Sequence, residues 1–173
     1  MALLEALSAN ASSLKEVYVH DNWIKGEAVD SLVRFILKAQ KLERLNISDS
    51  TMGTAGAVLV ARALQEATAI HSTLKSFSCN YNEVETYKAS RLILDTLLNE
   101  SFSALESVEY KGNSLGLKTA SEYVAKFSEK GCKLIVFEED DEEDGEGEDE
   151  EEDDSDGGFD EEDIVARLEK LKL

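Results

Sequence analysis

Short stretches of alternating apolar and polar residues recur along this chain at a nearly fixed spacing. The first is LKEVYVHDN, which begins at Leu14, and similar stretches begin at Leu42, Leu74 and Leu105. Their lead leucines are separated by 42−14 = 28, 74−42 = 32 and 105−74 = 31 residues, and a truncated stretch, LIVF, begins at Leu134. Such short alternation is typical of a strand that needs neighbouring strands as partners. The repeat therefore predicts a parallel sheet in which each strand pairs with that of the next repeat.

The apolar positions also predict what stacks inside this sheet and what lies between its strands. Val17 and Val19 are expected to point inward and to stack on Leu45 and Ile47 of the next stretch. Between the strands, apolar residues recur at helical spacing. These helical positions are Ala28, Leu32, Phe35 and Ile36; Val60, Ala63 and Leu64; Leu92, Leu94, Leu97 and Leu98; and Ala120, Tyr123, Val124 and Phe127. The predicted fold is an α/β leucine-rich repeat solenoid of the ribonuclease-inhibitor type, with the sheet on its concave face and the helices on its convex face.

A polar residue ends each stretch, where the chain must turn out of the strand. An asparagine side chain both donates and accepts hydrogen bonds, so it can satisfy the backbone groups that such a turn leaves unpaired. Serine is expected to do this only in part. The ninth positions are therefore predicted to form a structural ladder: Asn22, Ser50, Asn82 and Asn113.

The outward strand positions form a mixed polar surface, which suits protein recognition better than it suits a small molecule. Trp23 is the only tryptophan and follows the first ladder position. It is expected either to be an exposed contact residue or to pack over the neighbouring loop. The candidate partner-binding residues are Tyr18, His20, Trp23, Arg44, Asn46, Asn80 and Lys111.

The negative charge is concentrated near the C-terminal end. The net charge is −19, yet up to Phe137 the chain has 16 acidic and 15 basic residues, whereas Glu138 to Asp163 contains 20 acidic residues and no basic one. Residues 138–158 of this tract cannot pack, because their charges repel one another and no apolar residue lies among them. The predicted domains are residues 1–137 as a leucine-rich repeat domain whose first helix is a partial repeat, 138–158 as a disordered acidic linker, and 159–173 as a short amphipathic helix.

The acidic linker has two interpretations of equal weight. It is either a solubilising spacer or a contact site for a basic protein surface. Nucleic acid is not expected as a partner, because its phosphates would be repelled. Whether Ser155 in this tract is modified stays open.

No motif of a catalytic or metal site occurs in the sequence. A phosphate-binding glycine loop, H-E-x-x-H and C-x-x-C are all missing. His20 and His71 are expected on the surface, and Cys79 is expected to be a buried thiol. No segment suits secretion or membrane spanning. We expect no cofactor, no metal, no membrane insertion, a monomer and a reducing compartment.

The last ten residues, IVARLEKLKL, are predicted to form a helix. Acidic residues precede it and lysines lie near its end, as the helix dipole favours. A lone helix this short is marginal in water, so it should dock on a surface. It is a candidate nuclear-export helix, with docking onto its own domain or no docking as the alternative. The apolar positions are Ile164, Leu168, Leu171 and Leu173.

Three stretches together resemble the Ran GTPase-activating proteins. They are LERLNISDS followed by MGTAGAVLVARALQ, KLIVFEED at the start of the acidic tract, and DEEDIVARLEKLKL. The resemblance implies a GTPase activator rather than an enzyme, acting on the small GTPase Ran in nucleocytoplasmic transport, in the cytoplasm or at the nuclear envelope. The family residues that act on the GTPase lie in earlier repeats. No catalytic residue is therefore assigned, and the chain is expected to be the C-terminal part of a longer protein that activates Ran poorly alone.

Two other functions are considered. An acidic leucine-rich nuclear protein that binds histones or another basic partner would also join repeats to an acidic tail, although its repeats are shorter. A generic leucine-rich repeat scaffold is the third alternative.

Overall fold

In the computed structural model, residues 2–137 and 160–172 are described, with side chains described from residue 6 onward. Helices and short parallel strands alternate along this part of the chain. The helices are α1 Ala2–Asn10, α2 Glu27–Lys38, α3 Gly53–Glu66, α4 Tyr87–Leu98, α5 Leu117–Glu129 and α6 Glu161–Leu171, with a 3₁₀ turn at Thr68–Ile70. The strands are β1 Glu16–Tyr18, β2 Arg44–Asn46, β3 Ser76–Ser78, β4 Ser107–Glu109 and β5 Lys133–Ile135.

The five strands form one parallel sheet in the order β1-β2-β3-β4-β5. The central residue of each strand is buried and lies opposite its counterpart in the next strand: Val17, Leu45, Phe77, Val108 and Leu134. The strand pairing and register expected from the repeat spacing are therefore confirmed. Each three-residue strand buries one apolar side chain inward, so the neighbouring strands complete its core.

One helix, α3, is buried around its whole circumference. Every residue from Gly56 to Ala61 is buried. Six consecutive residues exceed a full helical turn of about 3.6 residues, so no side of this segment faces water. Since the sheet and the neighbouring helices α2 and α4 contact only part of it, α3 needs another element over its outer side.

Helix α6 provides that cover. It packs against α2 and α3, and its apolar residues Ile164, Leu168 and Leu171 are all buried. Its start is capped by Asp160, whose Oδ1 accepts a hydrogen bond from the Glu162 N–H at 2.9 Å. Three ion pairs link it to α4, α2 and α3, namely Glu161–Lys88, Arg167–Asp30 and Lys172–Glu66, at 2.9, 2.7 and 2.6 Å.

The prediction of an extended leucine-rich repeat solenoid of the ribonuclease-inhibitor type is wrong. In an extended solenoid each repeat contacts only its neighbours. Here α6 returns across α2 and α3 and forms an ion pair with α4, so a segment distant in sequence closes the helical side. The described residues form a small α/β domain with a five-stranded parallel sheet.

The predicted export or docking helix therefore lies on its own domain, where its apolar stripe is occupied. An export receptor could engage Ile164, Leu168 and Leu171 only after this contact had opened. Leu173, the predicted acidic linker at 138–158 and Ser155 lie outside the described residues.

Candidate protein-interaction surface

Side chains at the ends of the strands form a ladder that links successive repeats. The Asn82 Nδ2 group donates to the Ile47 carbonyl at 2.9 Å, and its Oδ1 accepts from the Ser50 N–H at 3.2 Å. Asn113 makes the equivalent two contacts in the next repeat: its side chain donates to the Cys79 carbonyl and accepts from the Asn82 N–H. These side chains are thus fully engaged in holding the turns together and offer nothing to a partner.

A second ladder, which the sequence analysis did not predict, runs beside the first. The Ser48 hydroxyl accepts from the Asn80 N–H at 3.0 Å, and Asn80 Oδ1 accepts from the Lys111 N–H at 2.8 Å. The Asn80 amide also donates to Glu109 at 3.0 Å. Asn80 is only 8% exposed, so this candidate partner-binding residue belongs to the domain interior.

The residue before each ladder position has the left-handed backbone conformation. Asp21, Asp49, Tyr81 and Gly112 have φ of 57°, 50°, 51° and 64°. This conformation turns the chain sharply out of each strand, and it is costly for residues with a Cβ atom. Gly112 must be glycine for a further reason, since a Cβ atom there would collide with the Tyr81 ring.

Trp23 lies in the segment that joins β1 to α2, and 85% of it is exposed. The segment itself is fixed. The Ile24 N–H donates to the Ser50 carbonyl at 2.9 Å, Lys25 pairs with Glu83 at 3.2 Å, and Arg167 Nη2 donates to the Gly26 carbonyl at 3.1 Å. A large apolar side chain is thus held out to solvent on a segment whose backbone is hydrogen-bonded at Ile24 and Gly26.

Other side chains of the first repeat are exposed as well, and one of them lies near Trp23. The Lys25 ammonium lies 5.9 Å from the centroid of the Trp23 ring, within cation–π range. Tyr18 is 53% exposed, and its hydroxyl donates to Glu16 at 3.2 Å. His20 is exposed as well. We call these four residues the β1 surface: Tyr18, His20, Trp23 and Lys25.

The other predicted contact residues belong to the later repeats, although Arg44 lies close to Tyr18 because both contact Glu16. Arg44 is exposed and pairs with Glu16 at 3.5 Å. Asn46 is half-buried, and its Oδ1 accepts from the Ser48 N–H at 3.0 Å. Lys111 is half-buried at the far side of the second ladder. Of the predicted contact residues, Tyr18, His20, Trp23 and Arg44 are thus exposed, whereas Asn80 is buried and Asn46 and Lys111 are half-buried.

Tyr81 is an exposed aromatic residue that the sequence analysis missed. It is 40% exposed and lies over Gly112 at the end of the third strand. Its place directly before the ladder residue Asn82, equivalent to that of Asp21, was the available signal, because that position faces outward in every repeat.

On the outer face of the sheet, two lysines flank one carboxylate. Glu43 accepts from Lys15 at 2.7 Å and from Lys75 at 2.8 Å. These hydrogen bonds, that of Lys15 first, lower the pKa of Glu43 from 4.5 to about 2. The same contact with Glu43 raises the pKa of Lys75.

This carboxylate should make the domain sensitive to acid. Because the pKa is lowered on folding, the contribution of Glu43 to stability is fully present above the unfolded-chain pKa and is lost as the pH falls from 4.5 towards about 2. We expect Glu43→Gln to remove part of the acid-side loss of stability, as measured by urea unfolding across this range. Carbon-13 NMR titration of the wild-type chain checks the pKa directly, and an ordinary glutamate value for Glu43 would contradict the assignment.

The described residues show little that suits nucleophilic or metal chemistry. Burial raises the pKa of the Cys79 thiol to about 12 and that of Cys132 to about 11, so neither is a ready thiolate. Among these residues, no group of three or more His, Cys, Asp or Glu side chains could hold a metal ion. None of the described helices is long and apolar enough to cross a membrane.

Comparison with known proteins identifies this fold. No protein-family model matches the sequence, and no curated protein matches it. Among solved structures, actin-binding site 2 of leiomodin-1 is similar, with a TM-score of 0.59 at 15% identity, over 98% of this chain and 84% of that one. The C-terminal domain of a tropomodulin from Caenorhabditis elegans has a TM-score of 0.56 at 13% identity, over 99% of this chain and 89% of that one. At such identities the likeness concerns the fold alone.

These structures correct the family resemblance. The chain folds like leiomodin and tropomodulin domains, not like a Ran GTPase-activating protein, and the identification with that family is wrong. The predictions of GTPase activation, of Ran as a partner and of a role in nucleocytoplasmic transport are therefore wrong as well. The histone-binding alternative is also wrong. A generic leucine-rich repeat scaffold is only weakly related to these domains. The long repeats and acidic tract misled because neither is particular to one family. That the chain is not an enzyme, and that it is cytoplasmic, stay predictions.

Proposed function

We propose that this chain is a protein-binding domain that binds actin through the β1 surface. The exposure of Trp23, the only tryptophan of the chain, on an anchored segment is the observation that carries the proposal. Tryptophan is the residue type most typical of energetic hot spots in protein interfaces. Since the backbone around Trp23 is already fixed, binding costs little ordering of the chain.

Actin is the partner proposed because the similar leiomodin-1 domain is described as an actin-binding site. The shared fold would present the strand ends and the outer face of the sheet in the same arrangement. The chemistry of the β1 surface supports a protein partner, since both of its aromatic rings are exposed and Lys25 lies beside the Trp23 ring.

The test is cosedimentation of the full chain with filamentous actin, together with fluorescence anisotropy on labelled actin monomers. Trp23→Ala is expected to weaken binding by at least about tenfold, which is about 1.4 kcal/mol. Val165→Ala is the matched control, because Val165 is an exposed apolar residue on α6. The proposal fails if the chain binds neither form of actin, or if Trp23→Ala binds as tightly as Val165→Ala.

A further inference from the structure

One side chain of α6 reaches the segment that carries Trp23. The guanidinium of Arg167 makes two contacts at the start of α2: Nε donates to Asp30 Oδ1 at 2.7 Å, and Nη2 donates to the Gly26 carbonyl at 3.1 Å. The second contact joins residues that are 141 positions apart in the sequence. The C-terminal helix is thus bonded directly to the backbone beside the β1 surface.

Gly26 is the residue of this segment that most needs an outside contact. It precedes α2 with φ of 57° and ψ of −122°, a conformation that glycine adopts more readily than other residues do. Without a side chain it cannot cap the helix, and glycine restricts its own backbone least of all residues. Its carbonyl accepts from the Val29 N–H at 3.1 Å as well as from Arg167. The guanidinium therefore holds a peptide group that the local sequence alone restrains weakly.

The backbone at Gly26 helps to set the direction of Trp23, because only two residues separate them. Of these two, Ile24 is buried, whereas Lys25 forms an exposed ion pair with Glu83, and such pairs contribute little. Arg167 is the stronger restraint. Its planar fork donates two charge-assisted bonds at once, and the side chain of its partner Asp30 is only 20% exposed.

We propose that Arg167 is the positioning residue through which helix α6 controls the β1 surface. With α6 docked on α2 and α3, Arg167 holds Gly26, and Trp23 is presented on a fixed backbone. When α6 leaves, this contact is lost, and a partner must order the segment at a cost in affinity. Because such coupling is reciprocal, a partner bound at Trp23 also holds α6 in place. The inference rests on the proposed protein-binding function and names how that surface is regulated.

Another residue of α6 provides a matched control. Lys172 pairs with Glu66 of α3 and with Glu169 of its own helix, both at 2.6 Å. Both partners lie outside the Trp23 segment. Lys172→Ala therefore removes a cation of α6 and an ion pair with the domain, as Arg167→Ala does, but it leaves the contact with Gly26 intact.

Amide exchange, measured by NMR on the full chain without any partner, tests the coupling. The reporter is the Ile24 N–H, which donates to the Ser50 carbonyl, and the reference is the Ile47 N–H, which donates to the Ser78 carbonyl, both at 2.9 Å. Arg167→Ala is expected to speed exchange at Ile24 at least about fivefold relative to Ile47, because local opening exposes only the first amide. A general loss of stability would speed exchange at both amides alike. Lys172→Ala should leave the ratio of the two rates unchanged.

Two further measurements follow the effect to the surface itself. Trp23 is the only tryptophan of the chain, so the decay of its fluorescence anisotropy reports the motion of this side chain alone. Arg167→Ala should increase the amplitude of its fast component, and Lys172→Ala should not. In the actin assays, Arg167→Ala should weaken binding at least about threefold relative to Lys172→Ala, because the partner must then order the segment.

The inference is overturned if Arg167→Ala leaves the ratio of Ile24 to Ile47 exchange unchanged, or if Lys172→Ala raises this ratio equally. It is also overturned if Arg167→Ala binds actin as tightly as the wild-type chain does. If the wild-type chain does not bind actin, the proposed function fails, whereas the exchange measurement still decides whether Arg167 fixes the segment. The two failures are therefore separate results.

Discussion

Replacing Leu168 with alanine is expected to lower the free energy of unfolding by about 3 kcal/mol. Leu168 is 3% exposed at the centre of the α6 stripe, between the buried residues Ile164 and Leu171. Its removal would leave a cavity over α3 and weaken the attachment of the whole helix. The ion pairs of α6 are partly exposed and screened by solvent, so they cannot offset this loss.

Urea unfolding of the full chain measures this effect. Val165→Ala is the control on the same helix, since Val165 is 49% exposed and should change stability by no more than about 0.5 kcal/mol. Equal losses for Leu168→Ala and Val165→Ala would mean that α6 does not stabilise the domain in solution.

The position of α6 on the domain could not be predicted from the sequence. The stripe Ile164, Leu168 and Leu171 indicates that the helix needs a surface, but periodicity does not say which surface. The complementary signal was in α3, where the run from Gly56 to Ala61 is too uniformly apolar for a helix with one face in water. Recognising either signal alone leaves the docking undetermined, because the contact joins residues about a hundred positions apart.

The sheet was easier to predict, because its contacts repeat. The recurring motif placed Val17, Leu45 and Phe77 in register, and the structure agrees. Burial of the polar residues was harder. Alternation gives the direction of a side chain but not how closely the next repeat covers it, so Asn80 was expected on the surface and is instead enclosed by backbone and Glu109.

The sequence predicted the candidate surface only in part. Trp23 and Tyr18 were both candidates from the sequence, and both are exposed in the structure. The sequence did not show that β1 is an edge strand of the sheet formed by the described residues. The backbone hydrogen bonds of the structure show one partner strand among the described residues.

Replacing Asn82 with alanine is expected to cost about 3 kcal/mol of unfolding free energy. Its side chain is fully buried and serves the Ile47 carbonyl, the Asn80 carbonyl and the Ser50 N–H. Alanine leaves these groups without that partner in a site closed to water, and each unsatisfied buried group costs about 1–3 kcal/mol. Asn22→Ala is the matched control: the same residue type lies at the equivalent position but is exposed, so water can replace its side chain at a cost of no more than about 1 kcal/mol. Thermal and urea unfolding of both variants test the ladder, and equal stability of Asn82→Ala and Asn22→Ala would show that these hydrogen bonds do not hold the turns.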